Sequence, residues 1–160
     1  MTIKIGDRLP QAEFNSPGAD GPVKLSTGDV FKGKRVVLVA VPGAFTPTCD
    51  AMHLPGYVMD HDAIKAKGIH TIACTSVNDV HVMKAWSKAS LADGKVLMLA
   101  DGNGTFAKSI GLDFDLAVAD MGLRSRRYSM LVEDGVVKTL NVEEKSGVNV
   151  SGSETILTQI

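Results

Sequence analysis

Strand-like and helix-like patterns alternate along this chain, and that alternation limits the folds open to it more than any other feature. Apolar, strand-type runs at 35–41, 69–75 and 96–100 are each followed by a helix-type pattern. Near the C-terminus, the segments 128–133 and 136–141 flank Asp134-Gly135, a pair typical of a two-residue hairpin. Parallel strands joined by helices and followed by a hairpin predict an α/β fold, a three-layer sandwich around a central mixed sheet.

The remaining boundaries depend on local signals. The Pro- and Gly-containing stretch 16–22 is typical of a loop. A helix pattern covers 49–67 and ends at Gly68, although Pro55-Gly56 should bend or break it. Asn78 is the expected N-cap of a helix that runs through Leu91, a short helix ends near 110, and Ser151 or Ser153 starts the last helix.

Composition fits an ordinary globular protein. The 160 residues, 44% apolar and 22% charged, suit one domain spanning 1–160. A net charge of -1 gives no reason to expect nucleic acid or an acidic membrane as a partner, and no apolar run approaches the roughly 20 residues of a membrane helix. Two widely separated cysteines suit a reducing compartment. We therefore expect a cytoplasmic location, with a removed organelle-targeting segment as the alternative.

A reactive sulfur is predicted where the first buried strand gives way to a helix. Cys49 stands at the first turn of that helix, where unpaired N–H groups and the helix dipole favour the nucleophilic thiolate. Thr46 offers a hydroxyl three positions earlier, and Pro42 and Pro47 restrict the loop. In open α/β sheets, functional sites lie at the carboxyl ends of the strands, and this loop is there.

The run PGAFTPTC at 42–49 fills the pattern Pro-x-x-x-Thr-x-x-Cys, and with the following HLPGY it resembles the peroxiredoxins, in particular their atypical, type II (peroxiredoxin-5-like) branch. Further segments that carry the likeness are Ile5-Gly6-Asp7, Phe31-Lys32-Gly33-Lys34, Ser76-Val77-Asn78-Asp79, Leu99-Ala100-Asp101, Arg127-Tyr128-Ser129-Met130 and Asp134-Gly135-Val136-Val137-Lys138. The resemblance implies a thioredoxin-like fold with an N-terminal extension and a C-terminal hairpin plus helix. It also implies a thiol-dependent peroxidase that reduces hydrogen peroxide and organic hydroperoxides through a sulfenic acid, with no bound metal, haem or flavin.

The same resemblance assigns the site residues. Cys49 becomes the peroxidatic cysteine, Thr46 a hydrogen-bond partner of the peroxide and the sulfur, Pro42 a shape-setting residue and Thr48 a backbone donor. Arg127 becomes the catalytic arginine, because the family places its arginine directly before an aromatic–Ser pair. The catalytic set is therefore Cys49, Thr46 and Arg127, and the substrate-binding set is Pro42, Thr46, Thr48 and Arg127.

Neighbouring residues suggest narrower roles. Strand alternation puts Arg127 opposite Arg124 and Arg126, which we interpret as solvated surface charges. His53 lies four residues after Cys49 on the same helix face, where a positioning hydrogen bond or a half-buried imidazole is favoured over a cation. The aromatic residues Phe45, Trp86 and Phe114 are candidates for the core or for dimer contacts, and the resemblance implies a homodimer packed near the active-site loops.

Recycling of the sulfur leaves two routes open. Some type II members use a resolving cysteine near the C-terminus, but the corresponding stretch 147–151 contains none. We favour reduction by an external thiol, either glutathione with glutaredoxin or thioredoxin. The alternative is that Cys74, favoured as a buried core thiol, resolves Cys49, which would require partial unwinding of the Cys49 helix.

Three rival functions remain. Residues 102–107 read G-x-G-x-x-A after a strand, with Asp120 following, as in a dinucleotide-binding enzyme. Against this, the helix after Gly104 is short. A thiol–disulfide oxidoreductase would suit the same fold, but 49–52 lacks the second cysteine of C-x-x-C. A non-catalytic interaction domain would keep both cysteines buried.

Overall fold

The computed structural model describes residues 1–160 and contains nine strands, six α-helices and two other helical turns. The strands are β1 (Glu13–Gly18), β2 (Gly21–Ser26), β3 (Arg35–Ala40), β4 (Thr71–Ser76), β5 (Leu97–Ala100), β6 (Asp113–Asp115), β7 (Leu123–Ser125), β8 (Tyr128–Glu133) and β9 (Val136–Val142). The helices are α1 (Thr27–Phe31), α2 (Leu54–Met59), α3 (His61–Ala66), α4 (Val80–Ala89), α5 (Thr105–Ser109) and α6 (Ser153–Leu157), with a π-helical turn at Cys49–His53 and a 3₁₀ turn at Ala117–Ala119. None of these helices combines the length and the apolar character needed to cross a membrane.

A seven-stranded mixed sheet in the order β2-β1-β5-β4-β3-β8-β9 forms the centre of the fold, and β6-β7 form a separate two-stranded sheet. β3 pairs with β4 in parallel and with β8 antiparallel. Because successive side chains alternate across a strand, Val37 and Val39 enter one apolar cluster while Val36 and Leu38 enter the other. The predicted α/β, thioredoxin-like sandwich with a central mixed sheet is confirmed.

The loop expected at 16–22 is wrong. These residues belong to the hairpin β1-β2, in which Pro17 lies opposite Pro22. The chain reverses just before Gly21, whose φ is 122°. β2 is the edge strand, and β1 pairs with β5 only at Asn15 and Ala100. Proline is tolerated there because its missing N–H faces no neighbouring strand.

The single helix expected over 49–67 is divided into three parts. In the π-helical turn, Leu54 N–H donates to Cys49 O. Pro55 follows in the first turn of α2. It has no N–H to return to residue 51, so a wider turn before it leaves fewer groups unpaired. The break falls at Asp60, between α2 and α3, rather than at Pro55-Gly56.

Of the other predicted boundaries, some are wrong and some are confirmed. Asp79, not Asn78, caps α4, because its Oδ1 accepts from His81 N–H and Val82 N–H. Helix α4 also ends before Leu91, whose φ is 57°. The C-terminal hairpin is confirmed: Asp134 and Gly135 have φ values of 49° and 78°, as a type I′ turn requires. The last helix begins at Ser153.

Candidate active site

The loop after β3 is tied to the sheet by an arginine that sequence analysis assigned to solvent. Arg124 Nη1 donates to Pro42 O at 3.4 Å and to Val77 O at 3.3 Å, and its Nε donates to Met121 O at 2.9 Å. Val77 directly follows β4, and Pro42 comes two residues after β3. Carbonyl groups beyond the strand ends have no ladder partner, so a side chain with several donors is favoured there. The interpretation of Arg124 as a solvated surface charge is therefore wrong.

Asn78 is a loop-holding residue whose place in the site was missed. Its Oδ1 accepts from Ala44 N–H at 2.9 Å and from Ser76 Oγ at 2.6 Å. A β-carbon on Gly43 would lie 2.9 Å from Thr46 Cγ2, so the loop requires glycine at that point. The available signal was a polar side chain two residues after a buried strand, at the edge where sites form in α/β sheets.

Cys49 is fully buried, and its sulfur accepts a hydrogen bond from Arg127 Nη2 at 3.2 Å. Arg127 directly precedes β8 and is 78 residues away in sequence. The guanidinium is permanently charged, so this contact favours a thiolate. The backbone N–H groups of Thr48 and Cys49 make no hydrogen bond within the chain, which leaves both as donors beside the sulfur.

Thr46 is oriented differently from the expectation. Its Oγ1 donates to Gly43 O at 2.7 Å, and no hydrogen bond joins it to Cys49 Sγ. Because the hydroxyl proton is engaged with that carbonyl, the oxygen lone pairs are the part of the group that can meet a ligand. Thr46 is thus placed as an acceptor for an O–H group.

His53 holds the second arm of the guanidinium. Arg127 Nη1 donates to His53 Nδ1 at 3.0 Å, so the proton of the imidazole lies on Nε2, which donates to Ser151 O at 3.0 Å. His53 is 1% exposed, and burial lowers its pKa to about 4, with the neighbouring Arg127 charge acting in the same direction. A positioning hydrogen bond is present, and the imidazole is neutral rather than cationic.

Cys74 lies in β4 opposite Val39 and belongs to the same apolar cluster as Cys49. Both cysteines are free. Burial, and next the nearness of Cys49, raises the pKa of the Cys74 thiol far above its ordinary value. A protonated thiol sealed in the core is a poor nucleophile.

A cavity of about 330 Å³ opens beside Arg127, and Cys49 itself does not line it. Three of the four predicted substrate-binding residues, Pro42, Thr48 and Arg127, line it, and Thr46 does not. Arg126 also lines it and lies over the Phe114 ring, with its Cζ 5.3 Å from the centroid. Trp86 is a core residue whose Nε1 donates to Asp50.

The glycine-rich segment at 102–107 is occupied by the protein's own carboxylate. Asp101 accepts from Phe106 N–H at 3.0 Å and from Ala107 N–H at 2.9 Å. These are the donors that a pyrophosphate would need, and α5 beyond them is five residues long. The segment therefore works as a helix cap, and the dinucleotide interpretation is wrong. No three His, Cys, Asp or Glu side chains are grouped to hold a metal ion.

A thiol held by a guanidinium at the end of a parallel strand pair defines a thiol-dependent oxidoreductase on a thioredoxin-like sheet. The chain belongs to the Redoxin family, whose model matches residues 4–157, and within it to the peroxiredoxins. It is 47% identical to the chloroplastic peroxiredoxin-2E-2 of Oryza sativa subsp. japonica, over 98% of this chain and 72% of that protein. It is 42% identical to the chloroplastic peroxiredoxin-2E of Arabidopsis thaliana, over 98% and 68%.

A solved structure gives the same assignment. Reduced Prx3 from Vibrio vulnificus, in complex with H₂O₂, is 49% identical, with 99% of each chain covered and a TM-score of 0.95. The type II resemblance agrees with the names of the plant relatives, and the protein is a thiol-dependent peroxidase.

The expected cytoplasmic location is wrong. It followed from the two widely separated cysteines, yet two relatives at 47% and 42% identity are named as chloroplastic. Two widely separated cysteines indicate a compartment that keeps thiols reduced but do not identify it.

Proposed function

We propose that Cys49 is the peroxidatic nucleophile and that Arg127, Thr46 and the backbone of Thr48 bind and polarise the peroxide, with Pro42 shaping the loop. The observation that carries the proposal is the guanidinium that donates one N–H to the sulfur and another to a neutral imidazole. That arrangement stabilises negative charge on sulfur before substrate arrives, and the same donors can follow the charge as it moves.

The step is a displacement at oxygen. The Cys49 thiolate attacks the terminal oxygen of HO–OR, an S–O bond forms, and the O–O bond breaks. Its electron pair leaves with RO⁻, which takes a proton from solvent to become water or an alcohol. Thr46 Oγ1 accepts from the peroxide O–H, since its own proton donates to Gly43 O. Arg127 and the free N–H groups of Thr48 and Cys49 stabilise the leaving oxygen.

Two single substitutions test the nucleophile. Cys49→Ser should abolish peroxide consumption, whereas Cys74→Ser, which exchanges the other buried thiol in the same cluster, should leave the first-turnover rate close to the parent's. Stopped-flow competition against a peroxide indicator measures both. Consumption of H₂O₂ by Cys49→Ser at the parent's rate would refute the assignment.

An external thiol completes the cycle in this proposal. Cys49–SOH reacts with R′SH to give a mixed disulfide and water, and a second R′SH releases the thiolate and R′S–SR′. Burial of the Cys74 thiol and its raised pKa support this route over an internal disulfide. Glutathione with glutaredoxin, or thioredoxin, would supply the thiol.

Mass spectrometry after one equivalent of peroxide separates the two routes. The parent should carry Cys49–SOH, trapped by a sulfenic-acid reagent, with Cys74 reduced. An intramolecular disulfide that disappears in Cys74→Ser would make Cys74 the resolving cysteine instead. Recycling rates with glutathione–glutaredoxin and with thioredoxin then identify the reductant.

Residues 1–160 work in this proposal as one peroxiredoxin domain and associate as a homodimer near the active-site loop. The continuous seven-stranded sheet supports the first point, and the half-exposed Phe45 on that loop supports the second. Hydrogen peroxide and small organic hydroperoxides suit the cavity of about 330 Å³ that Pro42, Thr48 and Arg127 line. Nucleic acid and membrane partners gain no support from the net charge of -1.

A further inference from the structure

A buried carboxylate directly after β9 organises the segment 149–151, which contacts the active site through Ser151. Glu143 is 7% exposed, and its Oε2 accepts four hydrogen bonds, from the N–H groups of Asn149, Val150 and Ser151 and from Ser151 Oγ, at 2.6–2.9 Å. Three consecutive N–H groups that converge on one oxygen form an anion nest. The carboxylate therefore fixes the backbone of 149–151.

The nest presents one carbonyl to the site. Ser151 is fully buried, and its O accepts from His53 Nε2 at 3.0 Å and from Tyr57 Oη at 2.7 Å. His53 in turn accepts from Arg127, which donates to Cys49. A continuous series of hydrogen bonds thus runs from Glu143 to the sulfur.

Glu143 is also joined to Arg127 through the main chain. Glu143 N–H donates to Arg127 O at 3.0 Å, so the same residue holds the arginine's backbone and, by way of 149–151, its side chain. Burial opposes ionisation, but the hydrogen bonds from Ser151, Val150 and Asn149 outweigh it and hold the pKa of the Glu143 carboxyl below its ordinary value. The group is a carboxylate at neutral pH, with its charge shared among four donors.

We propose that Glu143 is a positioning residue of the active site, which acts through Ser151 and His53 to hold the Arg127 guanidinium against the Cys49 sulfur. It touches neither the sulfur nor, in the proposed step, the reacting oxygens. The inference rests on the proposed function of Cys49 and Arg127 and adds to it the device that orients them. If the nest loosens, the Ser151 carbonyl moves, His53 loses its anchor, and the Arg127–Cys49 contact is populated less often.

The test compares Glu143→Gln with Glu154→Gln. Both remove one negative charge, but Glu154 is exposed on α6, does not line the cavity beside Arg127 and accepts no hydrogen bond within the chain. For Glu143→Gln we expect the second-order rate with H₂O₂ at neutral pH to fall on the order of tenfold, because displacement of a catalytic group by a fraction of an ångström is costly. The pH midpoint of Cys49 alkylation by iodoacetamide should rise in parallel. Glu154→Gln should match the parent in both measurements.

A purely structural role would change the melting temperature alone, so the alkylation midpoint is the decisive readout. Parental rate and midpoint in Glu143→Gln would overturn the proposal. If that variant does not fold, Ser151→Ala, which removes one of the four bonds, decides in the same way with a smaller expected change. Cys49→Ser is run alongside. If activity requires Cys49 but is unchanged in Glu143→Gln, only this inference is refuted. If Cys49→Ser remains active, the proposed function itself is refuted.

Discussion

Arg127 links the main groups of the site, because its guanidinium donates hydrogen bonds to two partners at once. One Nη donates to Cys49 Sγ and the other to His53 Nδ1, at 3.2 and 3.0 Å. A lysine ammonium is a compact point charge on a flexible stem, and it lacks the planar fork that fixes both directions together. Charge alone therefore does not reproduce the site.

For Arg127→Lys we accordingly expect the rate of peroxide reduction to fall on the order of 100-fold, the usual cost of removing an oriented donor from a developing anion. Arg8→Lys is the control, since Arg8 is exposed, donates to Asp134 O and bonds neither the sulfur nor His53. Single-turnover kinetics with H₂O₂ measure both variants. An unchanged rate in Arg127→Lys would show that the fork is dispensable.

His53 makes the folded state sensitive to mild acid. Its pKa is about 4 when folded, against an ordinary 6.5, so between these values the unfolded chain binds a proton that the folded chain does not. The free energy of unfolding should therefore fall as the pH drops from 6.5 towards 4, by about 3 kcal/mol in total for this one group. Above 6.5 the group contributes no pH dependence.

Denaturant titrations across that interval measure the effect. His53→Gln removes the titrating group, so its stability should decline less steeply with acid than the parent's. His81→Gln, at an exposed position, should keep the parental slope. Equal slopes in the parent and His53→Gln would mean that the imidazole is not held neutral by burial.

At the scale of elements, Asp101 shows how one carboxylate turns a motif of one class into a structure of another. Glycines 102 and 104 permit the turn, but Asp101 occupies the N–H groups of Phe106 and Ala107. Asp101 is 4% exposed, and Phe106 and Ala107, which carry the two donors, are 1% and 2% exposed, so removal of the carboxylate leaves two buried N–H groups without an acceptor. A buried N–H group that has lost its acceptor costs more free energy than a typical hydrogen bond contributes to stability.

Asp101→Ala should lower the free energy of unfolding by about 1–3 kcal/mol. Asp115→Ala is the control, because Asp115 accepts from Ala117 N–H at an exposed position where water replaces it. Urea unfolding of the three proteins compares them, and NADH titration should show no binding to any. A larger loss at Asp115 would contradict the role given to burial.

The elements also divide into those that local chemistry determines and those that it does not. Asp134-Gly135 demands its hairpin because two positive φ values are needed and both residue types supply them. Pro17 and Pro22 signal a loop equally well, and only the edge position of β2 explains why they form a hairpin instead. The π-helical turn before Pro55 likewise depends on how the chain accommodates a missing donor, which periodicity does not reveal.

For the molecule as a whole, the local spelling at 42–49 predicted the nucleophile, but the residues that orient it come from distant segments. Arg127 could be selected from three arginines only through the family pattern. Arg124, which holds the loop, and Glu143, which organises 149–151, carry no local signal, since each acts through carbonyls or N–H groups that the fold brings near. Tertiary hydrogen bonds to the backbone are invisible to residue type and spacing.

The active-site loop also exposes a large aromatic side chain, that of Phe45, in an unfavourable backbone conformation. Phe45 has a φ of 63° and is 49% exposed. Such a φ is unfavourable for a bulky residue and persists only where neighbouring bonds determine it, here those of Ala44 and Thr46. A strained loop that holds an aromatic ring in water is accounted for if the ring is covered by a second subunit beside the active site.

Phe45→Glu should therefore raise the dissociation constant of the proposed homodimer about tenfold or more, because a charge replaces an aromatic contact. Met59→Glu is the control: Met59 lies on α2, is 84% exposed, and is outside the active-site loop. Sedimentation velocity over a range of protein concentrations measures the shift. Met59→Glu should leave association unchanged. A parent that sediments as a monomer at every concentration would contradict the homodimer. A Phe45→Glu variant that sediments as the parent does would place the dimer contact elsewhere.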